Sequence, residues 1–274
     1  EVSHGCGCTQ YVSRACAKKI TLSDEELASA TAAAEDAIAA IQAGASASDV
    51  QSILEGGSGV TVSGLDLSSS NAGVGQFSAA SENIGIAQGF VLSTGQVADL
   101  FQPASENASS STSGSSSDAD LLAIAPNGTV LNDASIVEFD IVPTGDTLVM
   151  PYVFGSEEYP EFVGQFNDIF GIFISGPNPS GGSYSSKNIA IIPGTTDAVS
   201  IDNVNSGKNA SYYHDNAGGA AEAIVLDGMT TVLQAKISVT PGQTYHVKIA
   251  IADALDSSYD SAVFVGSAVS ANGL

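Results

Sequence analysis

The chain has 274 residues, 43% of them hydrophobic, with 30 acidic against 7 basic residues and a formal net charge of −23. That length and apolar content suit one large sandwich or two small domains with a sizeable core. The charge disfavours nucleic acid and anionic membrane, whose phosphates such a surface repels, and no run of about eighteen apolar residues offers a membrane span.

Residues 1–20 form a short basic segment holding all three cysteines, Cys6, Cys8 and Cys16. Their spacing, with His4 nearby, is not that of a zinc finger. In an oxidising compartment one intrachain disulfide is expected, joining Cys16 to either Cys6 or Cys8 and leaving one sulfur over. Reading Glu1 as the first residue after a removed leader places the protein outside the cytoplasm.

Ser23 and Glu26 make a capping box ahead of an Ala-rich stretch with Leu27, Ala34, Ile38 and Ile41 at helical period. Ser48 and Gln51 repeat the pattern before a short helix carrying Val50, Ile53 and Leu54 and ending at Gly56. From Val60 onward the period becomes two. Strands are expected at 60–62, 65–67, 136–142, 147–154, 169–174, 189–192, 233–239 and 245–251, with turns at Pro143 and Pro241. Gln234, Lys236, Ser238, His246 and Lys248 fall on the wet face of the last two. Many short strands with Gly and Pro punctuation predict an all-β, jelly-roll-like β-sandwich over 47–274, preceded by a short N-terminal helical, Cys-bearing extension over 1–46. A Ser-rich tract from Ser109 to Ser117 reads as a long loop.

Three acidic clusters stand where strands give way to loops: Asp118 with Asp120; Glu157, Glu158 and Asp168; and Asp253, Asp256 and Asp260. No basic residue occurs between Lys19 and Lys187 to balance the first two. A hard cation needs six to eight oxygens, which converging loops can supply. The EF-hand spacing is missing, so a calcium site would be assembled from separate segments. Solvated loop carboxylates are the bland reading of each cluster taken alone.

Catalysis finds little footing. A glycosidase pair would want an aromatic-lined cleft, and the chain has no Trp. His4, His214 and His246 lie in the Cys segment, a polar loop and an exposed strand, with no nucleophile-elbow motif beside them. The expectation is a protein that is not an enzyme.

The ordered motifs Gly89 to Gly95, Asp118 to Leu121, Asp133 to Asp140, Tyr152 to Val163, Phe166 to Gly171, Asn188 to Thr195 and Tyr259 to Phe264 resemble the choice-of-anchor L domain family. The resemblance runs from about Val50 to Val269. It implies a secreted bacterial surface domain. Together with the acids, it leads to an expected calcium-binding structural or adhesive protein of a surface layer, matrix or self-assembled filament. The expected calcium ligands are Glu157, Glu158, Asp168, Asp253, Asp256 and Asp260, with Asp118 and Asp120 as a second set. Expected partners are further copies of the chain, other surface proteins or glycans, without nucleic acid or membrane insertion. The rival reading is a calcium-dependent carbohydrate-binding module that stacks sugars on Tyr159, Phe162, Tyr212, Tyr213 and Tyr259.

Overall fold

The computed structural model describes residues 42–67, 73–78, 84–100, 117–217 and 224–273. The Cys-bearing segment, the helix expected after Ser23 and most of the Ser-rich tract lie outside these residues. In chain order the strands are β1 (Gln42–Ala43), β2 (Val60–Leu67), β3 (Val74–Ser78), β4 (Gln88–Ser93), β5 (Leu131–Pro143), β6 (Thr147–Ser156) and β7 (Ile169–Pro177). They continue as β8 (Ser183–Asn188), β9 (Tyr213–Asp215), β10 (Gly228–Thr230), β11 (Leu233–Ser238), β12 (Tyr245–Ala254), β13 (Ser261–Val265) and β14 (Val269–Ala271). Among the described residues two short α-helices accompany them, α1 (Ala47–Glu55) and α2 (Ala119–Ile124), with 3-10 turns at Val97–Leu100 and Ala210–Tyr212.

These strands form two antiparallel sheets. The smaller runs β2-β5-β12-β7-β8; the larger runs β1-β3-β4-β13-β6-β10-β9, with β11 and β14 also paired to β6. Alternation along β12 explains the layering: Tyr245, Val247 and Ile249 are fully buried between the sheets, while His246 faces water. Phe90, Tyr152, Phe154, Phe139, Phe170 and Val263 complete that central core, drawn from both sheets. The chain is an all-β sandwich.

Each sheet also has a covered outer patch. Phe77, Val91, Val153 and Phe264 pack with Ile224 to Leu226 on the larger sheet. Leu121 of α2 packs with Ile136, Phe173, Ala250 and Ala252 on the smaller. This second patch explains why Lys248, read as wet, is only 13% exposed: α2 lies over it.

Two local readings are corrected. The cap of α1 is Ser46, not Ser48: its Oγ accepts from the Asp49 N–H at 3.2 Å, and its own N–H donates to Asp49 Oδ2 at 2.9 Å. The apolar run 189–192 is not a strand; it follows β8 and has only one isolated bridge, Ile191 to Ala198. Ile189 and Ile192 are buried because the run packs into the core, so hydrophobicity there reports burial and not pairing. Among the described residues no helix is long and apolar enough to cross a membrane.

Candidate metal centre

At one end of the sandwich β4, β6 and β12 finish, while β5, β7 and β13 begin. The register brings Ser261 opposite Ser156, Ala262 opposite Ser93, and Ala252 opposite Ile169. The loops beyond these pairs therefore deliver Glu157, Glu158, Asp168, Asp253 and Asp260 to the same end. A register shift between Ile251 and Asp253 interrupts β12 here. Of five non-glycine residues with positive φ among those described, Asp133, Leu255 and Tyr259 lie at this end. Such backbone costs about 1–3 kcal/mol per residue and persists only where its surroundings hold it.

Hydroxyl groups tie the two sheets together beneath the acids. Ser261 Oγ donates to Asp168 Oδ2 at 2.6 Å, and the Ala254 N–H donates to Asp168 Oδ1 at 2.9 Å. Ser135 Oγ donates to the Ser93 carbonyl at 2.5 Å. The Thr94 N–H donates to the Ser261 carbonyl at 3.0 Å, and the Ser261 N–H to Thr94 Oγ1 at 3.0 Å. The Glu157 N–H donates to the Asp260 carbonyl at 3.1 Å. The Asp260 carboxylate lies against Gly95, where an added Cβ would meet Oδ2 at 1.8 Å. Sequence reasoning passed over Thr94, Gly95, Ser135 and Ser261; small polar residues at strand ends carry no signal until the strands are paired.

The electrostatics of this end are unusual for a protein in water. Glu158 and Asp168 are each 1% exposed and Asp253 is fully buried. Burial, then the neighbouring Asp168 and Asp256, push the Glu158 pKa up to about 9. Burial raises Asp168 to about 7 against the opposing hydrogen bonds from Ser261 and Ala254. Asp253 is driven well above the carboxylate range by burial, then by Asp168, with Asp260 and Asp133 adding to it. Thr94 and Asp168 stand near enough to Asp253 to affect its acidity, but among the described residues neither of its oxygens has a partner in good hydrogen-bond geometry, and Glu158 Oε2 has none either. Among the described residues no lysine forms an ion pair with Glu158, Asp168 or Asp253.

The remaining expected ligands divide. Glu157 and Asp260 are buried beside the cluster, at 3% and 0% exposure. Asp256 is half-buried at the rim, where its carbonyl accepts from Asn132 Nδ2 at 2.6 Å. Asp118 and Asp120 stand elsewhere and have found a cation within the chain. Lys248 Nζ contacts Asp118 Oδ2 at 2.7 Å and also Asp120 Oδ2. Burial alone would lower the Lys248 pKa, but these two carboxylates raise it. Asp118 also caps α2, its Oδ1 accepting from the Asp120 and Leu121 N–H groups.

The aromatic residues read as sugar platforms also divide. Tyr159 is fully buried, donates its hydroxyl to the Val204 carbonyl at 2.5 Å and packs on Tyr213 at 5.0 Å, so it offers no face to a ligand. Tyr212 and Tyr213 are half-buried against the core. Phe162 and Tyr259, half-buried with ring centroids 5.3 Å apart, flank the acidic end.

A family model of the choice-of-anchor L domain matches residues 39–270. No curated protein and no solved structure matches the chain. The family is not a known enzyme family, and its domains are associated with bacterial surfaces. With most of its length matched, the chain belongs to the choice-of-anchor L domain family.

Proposed function

We propose that the domain is a secreted, calcium-braced structural or adhesive module of an extracellular layer, matrix or self-assembled filament, with no catalytic role. The observation that carries this reading is the set of buried carboxyls Glu158, Asp168 and Asp253, with three oxygens lacking hydrogen-bond partners among the described residues. Burying ionised carboxylates without compensation is prohibitively costly, so the site takes up protons or a cation. The donor set fits calcium in kind, being all oxygen and strongly anionic. As placed, no three acidic or imidazole groups among the described residues coordinate an ion together, so binding draws the side chains inward. Glu158, Asp168 and Asp253 would hold the ion, with Glu157, Asp260 and the rim residue Asp256 nearest to complete its shell.

Calcium supplies the positive charge that this end lacks, locking loops from both sheets that otherwise repel. Ligand binding only to the folded state adds about 2.7 kcal/mol at a hundred times Kd, or roughly 5–10 °C in a domain of this size. Thermal melts at pH 7 should therefore differ between calcium and EDTA. Identical melting temperatures would assign protons to the site and remove calcium from the account. Assembly draws on the outer strand β8 of the smaller sheet; at the opposite edge α1 covers β2, where the Val62 N–H donates to Glu55 Oε1 at 2.7 Å and Gln51 Nε2 donates to the Val62 carbonyl at 2.9 Å. A chain that sediments as a monomer at high concentration in calcium would remove the filament.

A further inference from the structure

Away from the acidic end, a cleft of about 290 Å³ lies between two edge strands from different sheets, β8 and β11. Lys187 and Lys236 line its sides; their cross-strand neighbours are Ile174 and Val149, mid-strand and far from the calcium loops. The described residues hold four lysines and no arginine. Lys208 is paired with Asp197 at 3.2 Å and Lys248 with Asp118 and Asp120. The two lysines with no carboxylate partner among the described residues thus share one cleft, on a chain with 30 acidic residues. Lys187 Nζ is held 5.2 Å above the Tyr184 ring.

A third donor belongs to Asn188. Its Oδ1 accepts from the Ala190 N–H at 3.0 Å and the Ile172 N–H at 3.3 Å, which fixes the amide orientation. Its Nδ2 is buried beside the cleft and has no acceptor among the described residues. The Gln234 side chain is exposed on the same wall, and Ile191 and Pro193 give the cleft an apolar side.

We propose that this cleft binds a sugar carrying a single carboxylate, a uronic acid. The two ammonium groups take the carboxylate, the exposed Gln234 amide takes a ring hydroxyl, the buried Asn188 amide turns outward to take a second, and the apolar side takes the C–H face. The volume admits one ring and lies at the small end of ligand cavities. One charge suits the site because the local field of two lysines is screened within about 8 Å at physiological salt, while a polyanion would meet the repulsion of the whole chain.

Calorimetric titration of the full chain with sodium glucuronate tests this, with glucose and sodium acetate as controls, in EDTA and again in calcium. The expected result is saturable glucuronate binding in EDTA as well as calcium, with glucose and acetate each at least about tenfold weaker. The Lys187→Gln/Lys236→Gln double variant, melting like the parent, should lose about tenfold or more in glucuronate affinity. Absence of saturable glucuronate binding, acetate binding as tightly as glucuronate, or an unaffected double variant would each overturn the proposal. The lysines would then be edge guards against strand pairing. Because the titration runs in EDTA, failure of the calcium reading leaves this result untouched.

Discussion

Removing all divalent metal should make the domain more stable in acid than at neutral pH, the reverse of a protein held by ionised carboxylates. Glu158, with a folded-state pKa of about 9, and Asp168, at about 7, stand above their ordinary values of 4.5 and 3.8. Between pH 4.5 and 7 these two groups thus keep protons in the folded state that the unfolded chain has released. More protons bound in the folded state means that stability falls as pH rises. The slope is about 1.4 kcal/mol per pH unit for each group. From these two groups the decline is about 2.7 kcal/mol per unit up to pH 7, easing above it as Asp168 releases its proton, and Asp253, raised by its burial as well, steepens it further. Urea unfolding in EDTA at pH 5, 6, 7 and 8 reads this directly from the midpoint. Millimolar calcium should flatten or invert the profile, since the ion replaces the protons. A midpoint that stays level or climbs with pH in EDTA would refute the reasoning, because it would mean that these carboxyls are solvated.

Three substitutions probe the supporting structure. Lys248→Met leaves Asp118 and Asp120 with no cation over the Leu121 and Phe173 patch; discounted for partial exposure, the loss should be about 1–2 kcal/mol in urea, and an unchanged midpoint would show the pair to be solvated. Gly95→Ala forces a methyl into the Asp260 carboxylate and should cost about 1–3 kcal/mol together with calcium affinity; normal calorimetry for this variant would separate Asp260 from the site. Ser46→Ala removes the capping box of α1 and should lower stability by about 1 kcal/mol with the calcium response intact, which a melt with and without calcium would check.

Strand periodicity made the sandwich legible, most clearly in β12, where Tyr245, Val247 and Ile249 alternate with His246 and Lys248. The acidic end was legible in part, because a turn residue or carboxylate at a strand end marks a loop, and loops of a sandwich gather at its two ends. Which clusters share an end depends on strand pairing, and pairing is nonlocal. Glu158 and Asp253 reach the same end because β6 and β12 both finish there, each near enough to Asp168 to be affected by its charge, while Asp118 finds Lys248 from a strand far along the chain. Counting sequence-near lysines therefore left Asp118 and Asp120 unbalanced when they are not. The cap of α1 was misplaced because Ser46 and Ser48 both fit the pattern, and only the reciprocal bond with Asp49 separates them.

A crystal structure grown in calcium at neutral pH tests the central claim most directly. The account predicts an ion at the end of the sandwich, with oxygens of Glu158, Asp168 and Asp253 at about 2.3–2.6 Å from it. Carboxyl groups hydrogen-bonded to one another through protons, with no ion between them, would contradict it.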